Sequence, residues 1–303
     1  MVLATVSGFG APAEGQVDPR GNEIVLIPRL TGPITLDGRV DEPAWEEIPV
    51  LPATMHRPTY LGTPTEATEF RLAHDGTFLY LGCRLYDSDP SGIRALSLQR
   101  DETSFSNDWC AVGLDTFFDR ENMHFVGINP AGQRTDLVFP NDAEGAPDTD
   151  WNTFWDAEVS QDGDGWEVEI RIPFSSLRFQ ETEDGVTMGL VIFRNIARKN
   201  EVHTFPAVEP RWGTYSLFKA SQAHPVILRG IESTKPLYMT PYVIGGAGYT
   251  HDENEAETGY DRETDRLREA GLDLKYGLTE NLTLDVSVNT DFAQVEADDE
   301  QVN

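Results

Sequence analysis

Thr77-Phe78-Leu79-Tyr80-Leu81-Gly82-Cys83-Arg84-Leu85-Tyr86 puts Leu79, Leu81, Cys83 and Leu85 on one face of an extended chain, because side chains alternate sides along a strand. Trp166, Val168, Ile170 and Ile172 alternate with Glu167, Glu169 and Arg171 in the same period of two. Similar runs recur at 69–74, 108–117, 123–129, 135–139 and 188–196, with Gly, Pro, Asn and Asp between them. Short strands at turn-marked intervals predict an all-β fold, an antiparallel β-sandwich of jelly-roll type, over residues 21–230. Helix is confined to single turns. Asp41-Glu42-Pro43-Ala44-Trp45-Glu46-Glu47 opens one, with Asp41 as its cap and Pro43 in its first turn. Phe174-Ser175-Ser176-Leu177 makes another.

After Gly230 the alternating runs lengthen. Leu237, Met239, Pro241, Val243, Gly245, Ala247 and Tyr249 share one face. Ala270, Leu272, Leu274, Tyr276 and Leu278 share another, as do Leu282, Leu284, Val286 and Val288. Such runs fit transmembrane β-strands, and a hairpin sheet with one wet face gives the same pattern. On the first reading, residues 231–303 are three strands of an outer-membrane β-barrel, an incomplete one because closure takes at least eight, so the coding sequence continues past Asn303. Thr279-Glu280-Asn281 then makes a short periplasmic turn and His251 to Arg266 a long acidic external loop, which places the sandwich in the periplasm. Residues 1–20 read as a tail or a partial signal peptide. Ala11-Pro12-Ala13 suits a cleavage site, but no Lys or Arg precedes Arg20.

The 303 residues carry 52 Asp plus Glu against 23 Lys plus Arg, a net charge of −29. That balance argues against nucleic acid as a partner, since phosphate is neutralised by Lys and Arg. Acidity with only 4 Lys beside 19 Arg fits a high-salt habitat, a cation-binding surface or biased coding. Two cysteines, Cys83 and Cys110, are too few for a disulfide scaffold and suit no zinc site. They read as two buried small side chains or as one inter-strand disulfide.

No H-E-x-x-H, C-x-x-C, Walker loop or nucleophile elbow occurs, so no catalytic residue is assigned and no cofactor beyond calcium is expected. Asp87-Ser88-Asp89-Pro90-Ser91-Gly92 imitates half of a calcium loop, but its twelfth position is Leu98 and not Glu. Asp87 and Asp89 are either an exposed turn or part of a calcium site. Asp150-Trp151-Asn152-Thr153-Phe154-Trp155-Asp156 sets two indoles among polar side chains, the combination that sugar recognition needs: flat rings for the C–H face, amides and carboxylates for hydroxyls. Trp151, Trp155 and Asn152 are therefore candidate saccharide ligands, with Trp109 and Trp212 in reserve. Trp45 and Trp166 are assigned to the core.

Four ordered motifs carry a family resemblance. Ile34 to Trp45 resembles the opening of family 9 carbohydrate-binding modules, Asp108 to Asp115 their D-s-v-E-x-x-x-D strand, Phe125 to Gly132 their f-x-x-N-x-x-G, and Gly165 to Phe174 their closing G-W-x-x-E-x-x-I-P-F. The resemblance implies the sandwich fold and a saccharide partner. It also implies a ligand site near Phe105, Asn129 and position 111, where this chain has Ala111 in place of the family's carboxylate. Tyr276 to Thr279 and Asn289 to Asp298 are similar to bacterial outer-membrane proteins of unknown function that join such a module to a barrel. The expected function is carbohydrate or other polar-ligand binding at the cell envelope. The alternatives are a glycoside hydrolase or its accessory domain, and a structural plug without a small ligand.

Overall fold

The computed structural model describes residues 23–231, 237–253, 260–279 and 282–289; the tail or leader expected at 1–20 lies outside them. In chain order the first strands are β1 (Val25–Leu26), β2 (Thr54–Arg57), β3 (Thr68–His74), β4 (Phe78–Tyr86) and β5 (Trp109–Asp115). Next come β6 (Met123–Ile128), β7 (Arg134–Phe139), β8 (Asp156–Gln161), β9 (Gly165–Pro173) and β10 (Val186–Ile196). The last are β11 (Glu201–Phe205), β12 (His224–Leu228), β13 (Leu237–Glu253), β14 (Tyr260–Thr279) and β15 (Leu282–Val288). The chain divides between Ser233 and Thr234 into two compact units.

The first unit is a sandwich of two sheets. One runs β1-β12-β10-β5-β6-β7, with β11 pairing to β10 and β2 to β11; the other runs β3-β4-β9-β8. Pairing is antiparallel except for β1 beside β12, where Val25 meets Val226 and Leu26 meets Ile227. The period of two decides what fills the space between the sheets. Leu79, Leu81, Cys83 and Leu85 join Trp166, Val168, Ile170 and Ile172 in one core with Cys110, Val112 and Leu114 of β5 and Met188, Leu190 and Ile192 of β10. Each such side chain contributes ~1.5–3 kcal/mol on full burial, so this cluster dominates the stability of the unit.

The opening motif covers the outer face of the smaller sheet, where Val40, Trp45 and Ile48 pack on Ala73 and Tyr80. Its single helical turn is Pro43–Glu46, and the residue at its cap is Glu42, not Asp41. The Glu42 carboxylate accepts the Thr35 amide at 2.8 Å, so it staples the loop and caps nothing. Glu169 of the closing motif binds this segment from beneath, accepting the Asp37 and Gly38 amides and the Trp45 indole N–H, each at 3.0 Å. Gly165 opens that motif with φ of +146°, and a Cβ there would lie 2.3 Å from the Leu85 carbonyl oxygen. Only glycine fits that approach.

The second unit is a three-stranded antiparallel sheet, β13-β14-β15. Its register lines up three apolar rows: Leu237, Tyr276 and Leu284; Met239, Leu274 and Val286; Pro241, Leu272 and Val288. Seven of these nine side chains are exposed. One row on the other face holds Thr240, Asp273 and Ser287. The long loop expected from His251 to Arg266 is instead largely strand. Pairing continues to Glu253 against Tyr260, because polar alternation extends a hairpin as well as apolar alternation does. Of the expected turn, Glu280 and Asn281 lie outside the described residues. No sheet closes on itself among the described residues.

Candidate functional site

The outer face of the larger sheet carries a hollow. Strand register aligns Phe193 of β10, Ala111 of β5, Gly127 of β6 and Thr135 of β7 in a single row. The two smallest residues are in the middle, so close that a Cβ on Gly127 would sit 3.0 Å from that of Ala111. Larger rings rise around this floor. Trp109, Phe125 and Phe139 line the cavity from the sheet, Phe105 from the loop before β5, and the 3-10 segment Pro210–Phe218 adds Tyr215 and Phe218. The hollow, open on one side, holds about 320 Å³, within the range of small-ligand pockets.

The walls hold one another in place. Phe218 stacks on Phe139 with centroids 4.2 Å apart and meets Phe125 edge-on at 5.1 Å. Phe105 lies nearly parallel to Phe193 at 6.1 Å, and the Arg57 guanidinium carbon is 4.9 Å from its centroid. Tyr215 is half exposed, at 52%. Hydroxyls come from Thr103, Thr135, Thr149 and Thr214, and no charged side chain lines the cavity. A ligand that fits must present a flat apolar face to the rings and a few hydroxyls or ether oxygens to the threonines.

Two of the positions implied by the resemblance, Phe105 and Ala111, line this hollow. Asn129 does not. It is fully buried, its Oδ1 accepts the Ala131 and Gln133 amides at 3.0 Å each, and its Nδ2 donates to Ser97 O at 3.1 Å and Gln133 Oε1 at 2.9 Å. The turn between β6 and β7 consumes its hydrogen bonds. Asp108 and Asp115, which frame the motif strand, hold loops: Asp108 accepts the Ala197 amide at 2.9 Å, and Asp115 the Asp119 and Arg120 amides at 3.2 and 2.8 Å. Burial pushes the Asp108 carboxyl up to about 6. Trp109 is nearly buried, and its indole N–H donates to Ser104 O at 2.9 Å, so it serves the hollow as a wall. Trp212 is exposed on the same 3-10 segment, with Lys219 Nζ 5.3 Å from its ring centroid.

The tryptophan pair lies elsewhere. Trp155 is buried in the core between the sheets, with the Arg134 guanidinium carbon 5.6 Å from its centroid. Trp151 is half-buried and meets His124 edge-on at 5.0 Å. The aromatic that this loop presents to solvent is Phe154, 62% exposed. It borders an open cleft of about 480 Å³ with Arg100, Asn152, Thr153, Trp155 and Asp156, which brings the candidates Asn152 and Trp155 together. Asp136 anchors that loop: it pairs with Arg100, and its Oδ2 accepts the Thr153 amide at 2.8 Å.

The comparisons with known proteins bear on fold. Residues 236–303 match the profile of a domain of unknown function, DUF5916, and no curated protein matches. A family 9 carbohydrate-binding module from Caldicellulosiruptor kristjanssonii in complex with cellotriose is similar at 20% identity, over 69% of this chain and 95% of that one, with a TM-score of 0.47. Its glucose complex gives 20% identity, 70% and 98% coverage and 0.48. A proposed carbohydrate-binding protein from Bacteroides uniformis gives 13% identity, 69% and 100% coverage and 0.54. At these identities the likeness is one of fold.

Asp87 and Asp89 do not fit the calcium site considered for them. Asp87 is buried and paired with Arg198, and Arg194 Nη2 lies 3.9 Å from its other oxygen. Two guanidinium groups already neutralise the carboxylate and would repel a cation. Asp89 accepts from the Ser91 hydroxyl at 2.6 Å. Among the described residues, no three His, Cys, Asp or Glu side chains converge as metal ligands. A hydroxyl, imidazole and carboxylate do meet, where Thr68 Oγ1 is 2.8 Å from His203 Nδ1 and His203 Nε2 pairs with Glu201. His203 is fully buried and the Thr68 hydroxyl also accepts from Arg194 at 2.9 Å. That chain of groups ties β3 to β11.

Proposed function

We propose that the sandwich is a saccharide-recognition module whose ligand lies in the hollow over Ala111 and Gly127. The observation that carries this reading is the braced ring of aromatic side chains around a floor of two small residues, at the place the resemblance implies. Aromatic faces stack on the C–H surface of a pyranose, and the four threonines supply hydroxyl partners. With Ala111 in place of a carboxylate, recognition rests on stacking more than on charge. The test is a glycan-array screen of the chain in detergent, followed by calorimetry of the best binder, with cellotriose included. Phe105→Ala and Tyr215→Ala are each expected to weaken binding by ~1–3 kcal/mol, and Ala111→Trp to abolish it by filling the floor, while Phe154→Ala changes nothing. Loss in Phe154→Ala alone would move the site to the Asn152–Asp156 cleft. An array without a binder would defeat the reading.

The second unit favours membrane attachment. Strands of 17 and 20 residues exceed the usual 3–10, and most side chains of the three apolar rows are exposed. Lipid is the cover that such a band suits, with further strands completing a barrel. On this reading β13 runs outward from the periplasm and the sandwich is periplasmic. In intact cells lacking Cys83 and Cys110, an impermeant maleimide is expected to label a cysteine at Glu257, between β13 and β14, and to spare one at Thr63. Labelling at Thr63 with protection at Glu257 inverts the topology, and protection of both with a soluble product removes the barrel.

A further inference from the structure

Cys83 and Cys110 are the two cysteines of the chain, and the fold sets them face to face. Cys83 lies mid-strand on β4, opposite Phe70 and Val168 of its neighbours, in the smaller sheet. Cys110 lies on β5, opposite Arg194 and Ile128, in the larger one. Both point into the shared core, both are fully buried, and their sulfur atoms are 3.2 Å apart. The two are free thiols here. A bond length near 2.05 Å would require the sulfurs to close by only about 1 Å, which two packed sheets can absorb by small side-chain rotations.

Apart from the polar bridges that Arg194 and His203 make to the smaller sheet, the sheets meet in this core through apolar side chains. A thiol pair aligned across the gap, one from each sheet, is the single place where the core can be made covalent. We infer that Cys83 and Cys110 form a disulfide that staples the two sheets together, with a small-molecule or protein disulfide as oxidant. The thiolate of one cysteine attacks the oxidant disulfide, forming a mixed disulfide and releasing one thiolate. The second cysteine, deprotonated, displaces the remaining oxidant sulfur. The two cysteine protons end on the two released thiols, so two cysteines and one oxidant disulfide give one protein disulfide and two thiols. Burial pushes the Cys83 thiol well above its usual range, so exchange in the closed sandwich is slow, and the bond forms while the sheets are still coming together. Such a bond persists in an oxidising compartment, which agrees with the periplasmic placement proposed above without depending on the saccharide site.

The test uses the full chain in detergent, unfolded and reduced, then refolded with oxidised or with only reduced glutathione. Alkylation by N-ethylmaleimide under denaturing conditions is followed by intact mass. After oxidised glutathione, no maleimide and no glutathione should be attached; after reduced glutathione, two maleimides. The oxidised form should melt roughly 5–10 °C higher, from the closed loop and the size of the unit, whereas Cys83→Ala and Cys110→Ala should each melt at a temperature independent of redox conditions. Native reduced protein given the same oxidant should react far more slowly than refolding protein. Two maleimides after oxidising refolding, glutathione trapped on the chain, or a bond that fails to raise the melting temperature would each overturn the proposal.

Discussion

Replacing Arg194 by Met is expected to lower the unfolding free energy by about 3–5 kcal/mol, read from a denaturant titration. Arg194 is fully buried on β10 of the larger sheet and reaches to the ends of β3 and β4 in the other. Its guanidinium donates to Ala67 O at 3.0 Å, Thr68 Oγ1 at 2.9 Å and Tyr86 O at 2.7 Å, and lies 3.9 Å from Asp87. Methionine fills much of the same volume, so the loss measures polar groups left without partners inside the fold. In an Asp87→Asn background the same substitution should cost less, by ~0.5–3 kcal/mol, since the two side chains are coupled. A loss under about 1 kcal/mol in the single variant, against the range for breaking a buried pair, would mean that water or a rearranged neighbour replaces the guanidinium.

The second large effect is expected at Trp45. Truncation to Ala should cost about 3–5 kcal/mol, because the ring is 99% removed from solvent, at 1% exposure, and lies against Gly82 of β4. A Cβ at Gly82 would come within 3.0 Å of that ring, so the strand and the indole are matched to each other. Trp45→Phe should cost clearly less than Trp45→Ala, since part of the packing survives while the indole N–H to Glu169 is lost. Equal losses in the two variants would instead assign the whole effect to that hydrogen bond. Thermal melts of both variants beside Glu169→Gln resolve the two contributions.

Much of the sandwich could be read from alternation. Residues 78–86 and 165–173 have one clean apolar face each, and they form the centre of the smaller sheet. The strands that escape such reading explain themselves. In β8 only Ala157 and Val159 alternate with Asp156, Glu158 and Ser160. In β11 the run Glu201-Val202-His203-Thr204-Phe205 is buried on both faces, with Glu201 and His203 satisfying each other. A buried polar pair looks in sequence like an exposed one. The same limit governed the ligand site. The spacing of Trp151 and Trp155 says nothing of which ring faces solvent: the loop before β8 buries most of Trp155 and exposes Phe154. The hollow depends on which residues stand beside Ala111 on neighbouring strands, and Gly127, Phe193 and Thr135 are brought there by register alone. Of the reserve candidates, Trp109 forms a wall of the hollow and Trp212 stands exposed on the segment that carries Tyr215 and Phe218; Asn129, implied by the resemblance, is held by its own turn.

The pairing of β1 with β12 has a mechanical meaning. Because the two strands run in the same direction, the chain enters the sandwich beside Val226 and leaves it beyond Leu228, at the opposite end of the pair. A pull between the entering and leaving chain therefore loads these strands lengthwise, in shear, so that their bonds must yield together and not one at a time. Tension passed along the polypeptide toward β13 would meet its resistance first at this short clasp and then at the five paired positions between β12 and β10. The aromatic hollow is centred on β5, β6 and β7 and takes Phe193 from β10, so the loaded strand β10 also forms part of its wall.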